Sequence, residues 1–110
     1  MKNTEDLLSK KEHIIALYDV YNELLTDKQR DYFESYYFND MSLSEIAEIN
    51  HVSRNAIFSS LKQIENSLNE YEEKLLLKKK NDILQRLILR YEDNENEEVI
   101  KIINELKEME

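Results

Sequence analysis

The sequence predicts an all-α fold, and three observations carry that expectation. The chain contains no glycine and no proline, where average usage would give roughly 8 and 5 in this length, so tight hairpins and phosphate loops lack their usual residues. Two segments open with a hydroxyl residue followed three positions later by Glu or Gln: Thr26 with Gln29 and Ser42 with Glu45. Each pair is the capping box of a helix N-terminus. Beyond these starts, apolar residues recur at steps of three and four, the period of a helix with one buried face.

Residues 5–25, EDLLSKKEHIIALYDVYNELL, predict a first helix whose face is clearest from Ile14 onward, through Leu17, Tyr18, Tyr21, Leu24 and Leu25. The box at Thr26 starts a second helix that runs to about Phe38. Its face of Tyr32, Phe33, Tyr36 and Tyr37 is aromatic. Buried aromatics dominate small cores, so packing against the first helix is the economical reading. A partner-binding patch is the alternative.

The chain is organised around residues 42–61, SLSEIAEINHVSRNAIFSSL. The Ser42 box starts a short helix at Leu43 with an apolar face of Leu43, Ile46, Ala47 and Ile49. The small Ala47 lets another helix cross closely. Ser53 is the next N-cap, with Arg54, Asn55 and Ala56 opening the following helix. Only Asn50, His51 and Val52 remain for the turn, which is the connection of a helix-turn-helix.

After the turn, Ile57, Leu61, Ile64, Leu68, Tyr71 and Leu75 form a heptad-like stripe, so the second helix of the motif extends well past its usual length. Lys78 to Asp82 interrupt the stripe, and Leu84, Leu87, Ile88 and Tyr91 resume near the opposite face if 3.6 residues per turn continue. One very long helix is expected; a break near Asn81 is the alternative. Residues 92–98, EDNENEE, read as an acidic linker. A final amphipathic helix follows, with Val99, Ile102, Ile103, Leu106 and Met109 on one side. Such a helix does not stand alone in water and must fold back or pack on another copy of the chain.

The run LTDKQRDYFESYYFNDMSLSEIAEINHVSRNAIFSSLKQIENSL, residues 25–68, resembles the helix-turn-helix of sigma-factor region 4. With EYEEKLLL, residues 70–77, it more closely resembles the YlxM-like family of small bacterial helix-turn-helix proteins. That resemblance implies a regulator encoded beside components of the signal recognition particle. The chain is expected to divide into a helix-turn-helix domain over 1–77 and a helical extension over 78–110 used for packing or dimerisation. The chain departs from the motif at His51, where glycine commonly supplies a positive φ, and at Asn50, where an apolar residue is common. His and Asn are among the side chains that tolerate the left-handed region, so the turn is allowed at the cost of mild strain.

Composition narrows the function. Without cysteine, disulfide and thiolate chemistry are excluded. No apolar run approaches the roughly 18 residues of a membrane span, and MKNTEDLLSKKEH is too polar for a signal peptide, so no membrane insertion and a cytoplasmic location are expected. Net charge is −9, spread as about −2, −3 and −4 over residues 1–25, 26–65 and 66–110. This weighs against DNA binding, which draws most of its affinity from Lys and Arg on phosphates.

With Ile57 and Leu61 facing inward, the opposite side of the second motif helix presents Asn55, Phe58, Ser59 and Lys62, with Ser53 and Arg54 at its exposed start. By the family resemblance these are the residues that would touch DNA: Arg54 a phosphate or guanine, Asn55 an adenine edge, Phe58 a thymine methyl, Ser53 and Ser59 phosphates. The competing reading is a motif turned protein scaffold. Lys78, Lys79 and Lys80, with Arg86 and Arg90, form a second basic stretch, either a solvated helical surface or a contact for RNA phosphates.

His13 and His51 lack the partners of a metal site, and the clustered carboxylates Glu70, Glu72 and Glu73 show no acid–base pairing. A non-enzymatic protein without cofactors is expected. Its expected role is regulatory DNA binding as a homodimer, with an adaptor of the signal recognition particle's protein or RNA as the alternative.

Overall fold

The computed structural model describes residues 4–110, so the first three residues of the polar MKNTEDLLSKKEH stretch lie outside it. Six α-helices occur among the described residues, and no strand: α1 (Thr4–Tyr21), α2 (Asp27–Tyr37), α3 (Leu43–Asn50), α4 (Arg54–Leu75), α5 (Leu77–Tyr91) and α6 (Glu97–Lys107). A 3-10 turn, Asn22–Leu24, links α1 to α2. The chain divides into two compact units, Met1–Leu75 and Leu76–Glu110.

Both capping boxes form. Thr26 Oγ1 accepts from the Gln29 amide at 3.1 Å while Gln29 Oε1 accepts from the Thr26 amide at 2.9 Å. Ser42 Oγ and Glu45 repeat this at 3.1 and 3.0 Å. The bonds from Ser42 hold the Glu45 carboxyl below its ordinary pKa, so the box contributes above the ordinary carboxylate range and weakens as pH falls through the lowered value.

In the first unit, α4 is the spine on which α1, α2 and α3 pack. Ile57, Leu61, Ile64 and Leu68 are buried at its inner face, each contributing about 1.5–3 kcal/mol of apolar transfer. Facing them are Ile14, Leu17, Tyr18 and Tyr21 of α1, Tyr32 and Phe33 of α2, and Ile46 and Ala47 of α3. The aromatic face of α2 is thus core: Phe33 stacks on Tyr18 with centroids 4.1 Å apart and on Tyr37 at 4.4 Å. Tyr36, at 39% exposure, is left outside that stack.

Tyrosine hydroxyls anchor this layer to carboxylates. Tyr18 donates to Glu34 at 2.8 Å and Tyr37 donates to Glu65. Burial, reinforced by those carboxylates, pushes both phenols well above the usual 10.0. The folded protein therefore keeps protons that the unfolded chain releases, so stability should hold below about pH 10 and fall above it. Urea unfolding midpoints compared at about pH 9 and pH 11 check this, and replacing Tyr18 and Tyr37 by Phe should flatten the difference.

The turn after α3 shows how the chain manages without glycine. His51 lies in the left-handed region at φ 57°, ψ 40°. Val52 N–H donates to Ala47 O at 3.1 Å and His51 N–H to Glu48 O at 3.3 Å, the two bonds of a Schellman C-terminus. Asn50, where an apolar residue is common, turns back on its own helix, its Nδ2 donating to Ile46 O at 2.8 Å. A left-handed non-glycine residue costs roughly 1–2 kcal/mol, part of which glycine's greater unfolded freedom returns. His51→Gly should therefore stabilise by about 0.5–1 kcal/mol, measured as a rise of a few degrees in melting temperature.

Several expectations are corrected, among them Leu24 and Leu75, which are exposed and do not extend the buried faces of α1 and α4. Ile49 is 65% exposed and does not join the face of α3. The stripe after the turn does not continue as one very long helix: α4 ends at Leu75, and Leu76, at φ 54°, separates it from α5. The break does not fall at Asn81 either, which is an interior residue of α5. In the second unit Leu84 and Ile88 of α5 pack against Ile103 of α6, with Val99 and Leu106 half-buried, but Ile102 and Met109 face outward at 56% and 70% exposure. Asn96 caps α6, its Oδ1 accepting from the Glu98 amide at 2.9 Å.

Candidate nucleic-acid interface

The exposed face of α4 is set by its buried one. Ser53 caps the helix, its Oγ accepting from the Ala56 amide at 3.0 Å. From that fixed start, Ile57 and Leu61 point inward, and Asn55, Ser59 and Lys62 fall on the far side, with Phe58 at its margin. Ser53, Arg54, Asn55, Phe58, Ser59 and Lys62 are all exposed, Phe58 at 48%. They lie together over the first three turns of one helix, and residues 53–64 contain two cations and no carboxylate. That local balance contrasts with the net −9 of the chain.

Lys62 is the most constrained member. Its Nζ sits 5.7 Å from the Phe58 ring centroid and 3.7 Å from Glu65 Oε2. The ion pair is solvent-accessible at the lysine end, so it is weak and yields to a stronger anion.

The second basic stretch is only partly a cluster. Lys79, Arg86 and Arg90 follow at steps of seven and four and share one side of α5, away from Leu84 and Ile88. Lys78 is half-buried and pairs with Asp82 Oδ2 at 2.7 Å, and Lys80 lies on another side. Arg90 lies over the Tyr91 ring at 5.4 Å. This stripe belongs to the second unit, the α4 face to the first.

The motif helix by itself does not indicate what flanks it. On the side facing α2, a hollow of about 240 Å³ is bordered by Ala56, Ser60 and Gln63 together with Lys28 and Gln29. The spacing of Ala56, Ser60 and Gln63 at i, i+4 and i+7 was the available signal. Lys28 Nζ lies 5.7 Å from the Tyr32 ring centroid at this edge. No group of three or more His, Asp or Glu that could hold a metal ion occurs among the described residues. His13 meets Asn69 Oδ1 at 3.3 Å and His51 is the turn residue. Among the described residues no helix is long and apolar enough to cross a membrane.

Comparison with known proteins agrees with this geometry. The family described as "Putative helix-turn-helix protein, YlxM / p13 like" matches residues 8–109. The chain is 46% identical over 99 residues to the UPF0122 protein of Thermoanaerobacter sp. (strain X514), covering 82% of this chain and 84% of that protein. It is 39% identical over 109 residues to the UPF0122 proteins of Bacillus cereus (strain AH187) and Bacillus anthracis (strain A0248), covering 94% of this chain and 99% of each relative. Helices α3 and α4 packed together and joined by the turn at His51, inside a match that spans almost the whole chain, place this protein in the UPF0122 family of YlxM / p13-like helix-turn-helix proteins.

Proposed function

We propose that this protein is a DNA-binding regulator that lays the first half of α4 in a major groove. The observation that carries the reading is the exposed, carboxylate-free face of Ser53, Arg54, Asn55, Phe58, Ser59 and Lys62 on a helix whose other side is locked into the core. Arg54 and Lys62 neutralise phosphates, Asn55 offers the paired donor and acceptor that an adenine edge matches, and Phe58 offers an apolar surface for a thymine methyl. The helix N-terminus at Ser53 adds a favourable dipole for a phosphate. Residues 78–110 act as the dimerisation extension, bringing two such helices to neighbouring half-sites, and Leu89 and Ile102, both exposed, supply apolar surface for it.

A second reading is favoured by charge. Among the helices α5 has the clearest cationic excess, five Lys or Arg against the single carboxylate of Asp82. An adaptor would use it on the RNA of the signal recognition particle, while contact with that particle's protein fits an acidic chain better than DNA reading does. Titration of the intact protein against random duplex DNA and against the particle's RNA, at low and moderate salt, separates the two. The first reading expects salt-dependent duplex binding, and no duplex binding at low salt overturns it. The second expects the particle's RNA or GTPase to co-purify, and their absence overturns it.

A further inference from the structure

The geometry points to a second strip of phosphate contacts for bound DNA, formed by Lys10 and Lys11 of α1 beside the α4 face; this inference rests on the reading of α4 as the DNA-contacting helix. Leu7, Lys10, Lys11 and Ile14 follow at i, i+3, i+4 and i+7 and so occupy one side of α1. At the lower end of that side Ile14 is buried in the core. Above it, where a packed helix would continue with apolar residues, the chain places two adjacent lysines, both exposed. They stand on one wall of an open groove of about 930 Å³ between α1, α2 and α4, and Lys62 stands on the opposite wall. His13 Nε2 meets Asn69 Oδ1 at 3.3 Å, a contact between α1 and α4 at this groove.

Lys62 belongs to both surfaces, since it lines this groove and ends the exposed face of α4. A duplex seated on α4 has backbone passing to either side of the helix. On the α2 side the hollow offers one cation, Lys28. On the α1 side the groove offers Lys10, Lys11 and Lys62, three of the chain's 15 Lys and Arg. Two carboxylates, Asp40 and Glu65, also border it. Glu65 is already held by the Tyr37 hydroxyl and by Lys62, whereas among the described residues neither Lys10 nor Lys11 is engaged in an ion pair. In a chain of net −9, this concentration of cations next to the α4 face marks the side on which the flanking phosphates run.

The test compares the salt dependence of binding to a random-sequence duplex for the intact protein, for Lys10→Gln with Lys11→Gln, and for Lys10→Arg with Lys11→Arg. Each phosphate that is no longer neutralised lowers the slope of log K against log salt by about 0.9, so the Gln pair should flatten it by about 1.8. Between about 50 and 200 mM salt its affinity should then change roughly tenfold less than that of the intact protein. The Arg pair should keep the original slope, which separates removal of charge from damage to the helix. An unchanged slope in the Gln pair, with the α4 variants still flattening it, overturns this inference and leaves the α4 reading standing. Absence of duplex binding by the intact protein overturns both. An unchanged slope on DNA with weakened binding of polyglutamate assigns the groove to an acidic peptide and likewise overturns it.

Discussion

Replacing Phe33 by Ala is expected to lower the stability of the first unit by about 3–5 kcal/mol, the cost of emptying a buried aromatic site. Phe33 is fully buried, stacks on Tyr18 and Tyr37, and meets Phe38 edge-on with centroids 5.9 Å apart. Its removal thus uncouples α1 from α2 as well as leaving a cavity. A small domain has about 5–15 kcal/mol in all, so the variant should melt well over 10 °C lower. Phe33→Leu, which keeps most of the volume, should cost far less. Thermal unfolding followed by circular dichroism distinguishes these outcomes, and equal melting points for all three proteins would refute the aromatic stack as the centre of the core.

Arg54→Ala with Lys62→Ala is expected to weaken duplex binding by roughly tenfold for each phosphate left without its cation near 0.1 M salt, and to flatten the salt slope by about 1.8. Both side chains are exposed and outside the core, so the melting temperature should hardly move. Asn55→Ala should behave differently: it should leave the slope intact and reduce discrimination between sites by about 1–3 kcal/mol, because a base-edge contact carries sequence information and little charge. Fluorescence anisotropy with a duplex panel reads both effects. If the Arg54 and Lys62 pair binds like the parent protein, α4 does not dock on phosphate.

What the sequence makes legible here is local chemistry. The capping boxes at Thr26 and Ser42 need only a hydroxyl and a partner three residues on, and both form as their spacing requires. His51 adopts positive φ because the chain must reverse there and no glycine is available. The exposure of Asn55, Phe58 and Ser59 follows from helical geometry once Ile57 and Leu61 turn inward.

Tertiary competition is harder to read. Nothing in LLLKKK marks Leu76 as a helix break: leucine favours helix, yet its backbone is left-handed here and α4 ends before it. The same limit applies to Ile49, Ile102 and Met109, whose periodicity suits burial while no neighbouring element covers them. For the site, spacing identifies a face but not its flanks. Lys10 and Lys11 lie far from the motif in sequence and reach its edge only because α1 packs along α4.

The proposed contact between the far side of α4 and DNA is open to direct measurement. Amide chemical shifts of the labelled protein, followed while a random-sequence duplex is added at low salt, test it residue by residue. The largest changes should cluster at Arg54, Asn55, Phe58, Ser59 and Lys62. A saturating titration in which those five stay still, or in which the changes are confined to α5, would contradict it.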